Sequence, residues 1–355
     1  MSLTVLSVAY PLAPVGPDAV GGAEQVLAQL DRALVEAGHR SLVIACEGSR
    51  TAGTLIPIPL PPAPLDEAAK AAAQESTRSA IAGALRRWSI DLVHLHGVDF
   101  HAYLPPPGVP VLATLHLPPS FYPPGALAPT RPGTWLHCVS EAQAAACPPS
   151  PALLAPIPNG VPVEALAARH AKRAFALVLG RICPEKGIHL AIEAARDADI
   201  ALLVAGEVFA YEAHRRYFEE EVRPRLDGRR RFIGPVGFQR KRRLLTAAQC
   251  VLVPSLAPET SSLVAREALA CGTPVVAFPS GALPDTVEHG RTGFLVHDVS
   301  EMAHAIREAA RLDPALCRRV ARERYSLERM VARYFATYDV LAGTRRDAAS
   351  LEGAA

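Results

Sequence analysis

The stretch APETSSLVAREALACGTPVVAF, residues 257–278, decides the fold class. It follows CVLVPS (250–255), a short and unbroken apolar run. Its middle, 262–270, carries apolar residues at helical spacing, and a tight turn leads into a second apolar run, PVVAF (274–278). Strand, helix and strand with short connections make a parallel pair with the helix packed on one face. Strands that are apolar throughout, without alternation, belong to a sheet covered on both sides. The same stretch holds two glutamates, Glu259 and Glu267, eight positions apart on either side of the helix start.

The pattern repeats along the chain. LTVLSVA (3–9), SLVIAC (41–46), DLVHLH (91–96), PVLATLH (110–116) and WLHCVS (135–140) read as strands, as do FALVLGR (175–181) and IALLVAGE (200–207). Helical spacing fills 23–37, 65–88, 187–195, 211–222 and 241–248. The length of 355 residues is too long for a typical single core and favours two domains, at about 150 residues each. The expectation is α/β: two Rossmann-like, doubly wound parallel-sheet domains facing a cleft. The first takes 1–160 and the second 161–326, with a linker near 159–173. A last helix, 327–341, crosses back to the first domain, and 343–355 form a frayed tail.

Bulk composition narrows the function. Half the residues are hydrophobic and a fifth charged, and the formal charge of +2 gives no support to a nucleic-acid partner. Seven cysteines without a CxxC pair read as free thiols in a reducing cytoplasm. The apolar start, 3–9, lacks a basic leader and is broken by Pro11, so it reads as a strand and not a signal peptide. No run of 18 apolar residues exists, so no membrane span is expected, and apart from the basic clusters no strongly basic amphipathic helix supports membrane association. The 33 prolines cluster in loops such as 57–64 and 118–124.

Ligands of open α/β sheets bind outside the carboxyl ends of the strands, so residues just past each strand are the candidates. After 250–253 a helix is expected from about Ser261, with Thr260 or Ser261 as its cap. The N–H groups of Ser262 and Leu263 would then sit at a positive helix end, which suits a phosphate. Glu267 lies about 7 Å along the axis at roughly 1.5 Å per residue. A nucleoside diphosphate sugar has the matching layout, with Glu259 at sugar hydroxyls and Glu267 at the ribose. The spacing alone also fits two solvated carboxylates that complement the helix dipole.

LGRICPEKG (179–187) likewise follows a strand and opens a helix. Arg181 and Lys186 place two cations near a helix start, which is unfavourable unless an anion is present. A guanidinium fork and an ammonium point charge could neutralise a diphosphate leaving group as its charge develops. In GGAE (21–24) the paired glycines permit a phosphate or sugar close to the backbone.

Together these segments resemble the retaining glycosyltransferases of family 4, which have the GT-B fold. The resemblance covers nearly the whole chain. It rests on GGAE (21–24), TLH (114–116), IPNGV (157–161), LGRICPEKG (179–187), VAGE (204–207) and residues 253–296, where Glu259 and Glu267 form the family's E-x7-E motif. It implies transfer of a hexose, with glucose suggested by the motif wording, from a UDP-type sugar to an unidentified acceptor hydroxyl. No metal or other cofactor is obligatory. By position, Arg181 and Lys186 would bind the diphosphate, Glu259 would face the donor sugar and Glu267 the ribose. His116 would lie near the reacting sugar, Gly22 would let the amino-terminal loop approach the donor, and Gly206 and Glu207 would lie by the nucleotide. The acceptor would lean on 21–24, 96–101 and 118–124. One departure stands out. Many members have Phe-Gly after the first glutamate, where this chain has ETSSL.

Other features have plainer accounts. DAD (197–199) resembles a metal-binding Asp-x-Asp, but it precedes a strand and so lies away from the carboxyl ends. His94, His96 and His116 could ligate a metal, or line the cleft rim and pack. GRRR (228–231) and RKRR (240–243) could touch anionic lipid or nucleic acid but have the plainer reading of solvated helix and loop faces, and Lys186 reads as solvent-facing. The alternatives to a transferase are a nucleotide-sugar epimerase or hydrolase on the same scaffold, and a nucleotide-sugar sensor. Turnover without acceptor would mark the first. The presence of both glutamates with Arg181 and Lys186 argues against the second.

Overall fold

A computed structural model describes residues 2–19, 21–61, 65–168 and 170–352, with only the backbone of 344–352. The chain divides into two compact units, Met1–Pro158 with Met330–Ala355, and Asn159–Arg329.

The first unit is built on β1 (Thr4–Val8), β2 (Arg40–Cys46), β3 (Thr54–Ile58), β4 (Leu92–Leu95), β5 (Val111–Leu115) and β6 (Thr134–Cys138). They form one six-stranded sheet in the order β3-β2-β1-β4-β5-β6, with every pairing parallel. The order reverses between β1 and β4, which is where a doubly wound sheet opens its crevice. Apolar strands pack against the helix Glu67–Arg87 through Ile81 and Ala84. Asp66 starts that helix by accepting from the Ala69 N–H at 2.8 Å. β3 lies where only proline-rich loop was expected from residue 57. Pro57 removes a donor, but β3 is an edge strand, the place where a sheet tolerates that loss.

The second unit has β7 (Arg173–Leu179), β8 (Ala201–Ala205), β9 (Arg230–Phe232), β10 (Ala248–Val253), β11 (Val275–Ala277) and β12 (Gly293–Leu295). Its order is β12-β11-β10-β7-β8-β9, again all parallel. Successive side chains of β10 enter different cores. Cys250 and Leu252 pack with the helix Ile188–Asp197, and Val251 and Val253 with the helix Leu263–Ala270. Both faces are covered, which accounts for the unbroken apolar runs. The reversal here falls between β7 and β10.

Several details differ from the sequence expectation. GRRR is not a solvated face, because Arg230 lies buried in β9. Its guanidinium meets Asp227 at 3.3 Å and the carbonyls of Ala195 and Arg196. β12 and the helices Val299–Glu308 and Pro314–Tyr325 extend the unit. The expected linker contains a short helix, Val163–Leu166, with both end residues buried. The last helix runs Leu327–Glu352, so residues 343–352 continue it instead of fraying, and 353–355 lie outside the described residues. All seven cysteines are free. No described helix is long and apolar enough to cross a membrane.

Candidate functional site

The second unit's switch point brings two of the three candidate segments together. The loop after β7 carries Arg181 and Lys186, and the loop after β10 carries Glu259. They are tied by backbone, since Leu256 N–H donates to the Glu185 carbonyl at 2.8 Å. Gly187 makes the approach possible. Its φ is +59°, and a Cβ there would sit 2.2 Å from the Pro254 carbonyl oxygen. Gly206, past β8, has φ +155° and a Cβ would fall 1.8 Å from the Gly180 carbonyl oxygen. The adjacent Glu207 carbonyl accepts from Ile182 N–H at 2.9 Å. Thus VAGE supports the basic loop from beneath.

Each glutamate is held by a lysine from another element. Lys186 Nζ donates to Glu259 Oε1 at 2.5 Å, and the Ser255 hydroxyl donates to the same oxygen. The side chains are 28% and 10% exposed, so Lys186 is half-buried in an ion pair and not solvent-facing. Burial works to raise the Glu259 carboxyl, but Lys186, Ser255 and Arg181 outweigh it and keep the group below the usual carboxylate range. The Arg181 guanidinium has no hydrogen bond or ion pair among the described residues, which leaves it available. Lys241 Nζ donates to Glu267 Oε1 at 2.5 Å, with side chains 14% and 5% exposed. RKRR is therefore no plain solvated face. Its lysine lies inward on the helix Phe238–Ala247 and holds the second glutamate.

The helix between the glutamates starts later than expected, at Leu263. Ser262 is its N-cap, with no side-chain capping hydrogen bond, so the cap falls one or two positions later than Ser261 or Thr260. Ser262 has φ +50°, one of two non-glycine residues in the left-handed region among the described residues. That conformation costs about 1–2 kcal/mol for a residue with a Cβ. This is the run in which many family 4 members carry Phe-Gly, and glycine adopts that conformation without strain. Beside it the buried Ser261 hydroxyl has no hydrogen-bond partner among the described residues. A strained cap and an unpartnered hydroxyl at a helix start suit an anion that would accept from both.

Two further residues escaped sequence reasoning. Arg266 is buried, stacks over Tyr325 at 4.7 Å and donates to the Asn159 carbonyl. Burial pushes its guanidinium down to about 10. It anchors the start of the second unit and is structural. Ser255 directs Glu259. A serine two residues past a strand carries no sequence signal for that role.

In the first unit Gly22 is exposed at the start of the helix Gly22–Glu36. His116 is half-buried past β5, and its Nε2 lies 3.0 Å from His96 Nδ1. Burial, aided by His137, pushes His116 down to about 3, so the ring is neutral. Behind it the proton order is fixed. His137 Nδ1 lies 3.1 Å from the Cys138 carbonyl, which can only accept, so Nδ1 carries the hydrogen. His137 Nε2 then accepts from the Thr114 hydroxyl at 2.7 Å. Thr114 in turn accepts from His94 Nε2 at 2.7 Å, and His94 Nδ1 accepts from the Tyr338 hydroxyl at 2.7 Å. His94 and His96 thus pack and hydrogen-bond within the core. Of DAD, Asp197 ends a helix and Asp199 pairs with Arg229, both at the amino end of β8.

Comparison with known proteins adds to this geometry. Residues 20–165 match the family model described as Glycosyltransferase Family 4, and residues 173–311 match that described as Glycosyl transferases group 1. A D-inositol 3-phosphate glycosyltransferase of Mycobacterium sp. (strain KMS) is 39% identical over 152 residues, 41% of this chain and 34% of that relative. One of the same description from Streptomyces avermitilis is 46% identical over 94 residues, 26% of this chain and 20% of that relative. The matched stretch thus spans about a third or less of these curated relatives. Among solved structures, sucrose-phosphate synthase of Thermosynechococcus elongatus superposes with TM-score 0.77 at 21% identity, covering 96% of this chain and 100% of that one. Anabaena HepE in complex with UDP-glucose gives 0.73 at 19%, covering 94% and 100%. Below 25% identity these are likenesses of fold, and the fold is the two-domain, Rossmann-like GT-B arrangement.

Proposed function

The chain belongs to the family 4-like glycosyltransferases, and from that premise we propose that it transfers a hexose from a UDP-sugar to an acceptor hydroxyl with retention of configuration. The observation that carries the reading is the second unit's switch point. There Lys186 pairs with Glu259, the loop of Arg181 and Lys186 is tied by backbone to the loop of Glu259, and the buried Ser261 hydroxyl lies without a hydrogen-bond partner among the described residues just before the helix that starts at Leu263. A diphosphate would accept from the helix N–H groups and Ser261, and draw Lys186 from Glu259. Glu259, released, would accept from sugar hydroxyls, and Glu267, oriented by Lys241, from the ribose. As the glycosyl bond breaks, charge builds on the diphosphate, and the two cations with the helix dipole stabilise it without a metal. A neutral His116 offers a ring nitrogen to a sugar hydroxyl. UDP as carrier is supported by the nucleotide held in the HepE structure, and glucose by the same complex.

The acceptor screen begins with D-inositol 3-phosphate, the compound in the relatives' names. Incubation with UDP-glucose and a panel of acceptors, read by proton NMR of the anomeric signal, tests the reading. An α-linked product supports retention. A β-linked product refutes it, and rapid loss of donor without acceptor refutes transfer.

A further inference from the structure

The basic loop after β7 holds a second cluster that the donor reading does not use. Cys183, Glu185 and the His214 ring, on the helix Glu212–Tyr217, each present a ligand atom within 4.8 Å of the other two. The three residue types come from two elements that are adjacent in space and 29 or more positions apart in sequence. Cys183 is fully buried and Glu185 exposed. Pro184, between them, opens a single 3-10 turn that sets thiol and carboxylate on one side. His214 is 9% exposed, with its ring edge-on to Tyr211 at 5.2 Å and Phe209 at 6.3 Å. Its Nδ1 is buried and has no hydrogen-bond partner among the described residues. The Cys183 thiol lies 3.8 Å from the Arg181 carbonyl and hydrogen-bonds the Glu185 carboxylate beside it. A buried imidazole nitrogen without a partner, beside a thiol that already hydrogen-bonds a neighbouring carboxylate, is a donor set in want of an acceptor of electron pairs.

We propose that Cys183, Glu185 and His214 form a binding site for a soft divalent cation of the zinc class, with water completing the coordination. One sulfur, one nitrogen and one oxygen ligand match what Zn2+ takes in tetrahedral sites that keep an open position. Bonds of about 2.3 Å to sulfur and about 2.0–2.2 Å to nitrogen and oxygen bring ligand atoms to roughly 3.5 Å apart. The cluster therefore contracts by about 1 Å on binding, and the exposed Glu185 side chain supplies most of that movement. Binding is balanced by loss of one proton: the Cys183 thiol gives its hydrogen to solvent as sulfur takes the metal, Glu185 is already ionised, and His214 binds neutral. The new Cys183 thiolate and the existing Glu185 carboxylate together carry two negative charges, and the ion cancels both. Arg181 is the nearby cation that opposes binding, since it acts on Cys183, Glu185 and His214 alike. A loaded site would fasten the loop of Arg181 and Lys186 to the helix Glu212–Tyr217. This inference does not depend on the donor reading.

The test uses the full chain stripped with a chelator and titrated with Co2+ and then Zn2+. Thiolate coordination gives Co2+ an intense near-ultraviolet band. The expected result is one such band at one equivalent, displaced by Zn2+, with about one proton released per metal. Cys183→Ser should abolish the band although six other cysteines remain. Glu185→Gln and His214→Gln should weaken Co2+ binding on the order of tenfold or more. Glu185 is exposed, so that variant keeps the test valid even if a buried substitution unfolds the chain. Absence of the band in the wild type, its survival in Cys183→Ser, or unchanged affinity in Glu185→Gln would each overturn the site.

Discussion

Replacing Lys186 with Ala removes the ammonium that holds Glu259. Taking one partner from a fully buried ion pair costs about 3–5 kcal/mol, because the other charge is left without compensation. Two features reduce that figure here. Lys186 is 28% exposed, so water can enter the gap, and Ser255 still donates to Glu259. The expected loss of stability is about 1–3 kcal/mol. The carboxyl should also titrate higher. Burial raises it and Lys186 leads the groups that lower it, so in the wild type it stays below its ordinary 4.5. That shift stabilises the fold above the ordinary value and is lost as pH falls through the folded one. In the variant the contribution shrinks, and stability near neutral pH drops with it. UDP should lose a charge-assisted hydrogen bond of about 1.5–3 kcal/mol, roughly 10- to 150-fold in Kd. Pairing Lys186→Ala with Glu259→Gln removes the stranded charge. The double variant should regain most of the stability but none of the affinity. Urea unfolding and UDP titration at pH 7 read the two effects separately. An unchanged unfolding midpoint in Lys186→Ala, with no coupling to Glu259→Gln, would refute the ion pair. Unchanged UDP affinity would refute the phosphate placement.

Other outcomes follow from the same structure. Ser262→Gly relieves a left-handed serine at φ +50°. Set against the added freedom of glycine in the unfolded chain, it should gain about 0.5–1 kcal/mol by urea unfolding, with Ser262→Val losing stability instead. Gly206→Ala drives a Cβ into the Gly180 carbonyl, and should lose about 2–3 kcal/mol or more and most UDP binding, read by thermal melting with and without nucleotide. In the first unit, burial pushes His137 down to about 4, and His94 and His96 well below 6.5. The folded state holds them neutral while the unfolded chain takes protons below that value. Stability is therefore full above pH 6.5 and falls on acidification, by up to about 1.4 kcal/mol per pH unit for each ring. Unfolding curves at pH 7 and pH 5 with equal midpoints would contradict this.

The parallel sheets were legible because burial on both faces writes unbroken apolar runs such as 176–179 and 250–253, and helices between them write a different period. Short edge strands escaped for physical reasons. β3 contains a proline, and β9 opens with two arginines, one of which packs inward against carbonyls. The candidate residues were legible by position after strands, but their partners were not. Lys186 meets Glu259 across 73 residues and Lys241 meets Glu267 across 26, and no local pattern carries such pairings. Lys241 in particular is one cation in a run of four, and only the face of its helix distinguishes it from its three arginine neighbours. The cap at Ser262 was misplaced because Thr260 and Ser261 are good capping residues by type, while the chain spends its left-handed turn one position later.

The central claim is that a nucleotide diphosphate rests at the start of the helix Leu263–Ala270 against Arg181 and Lys186. A crystal structure of the protein soaked with UDP tests it most directly. The account predicts phosphate oxygens within about 3 Å of Lys186 Nζ, the Ser261 hydroxyl and the Leu263 N–H, with Lys186 turned away from Glu259. Phosphates bound elsewhere, with the Lys186–Glu259 pair intact and Ser261 still unpartnered, would contradict it.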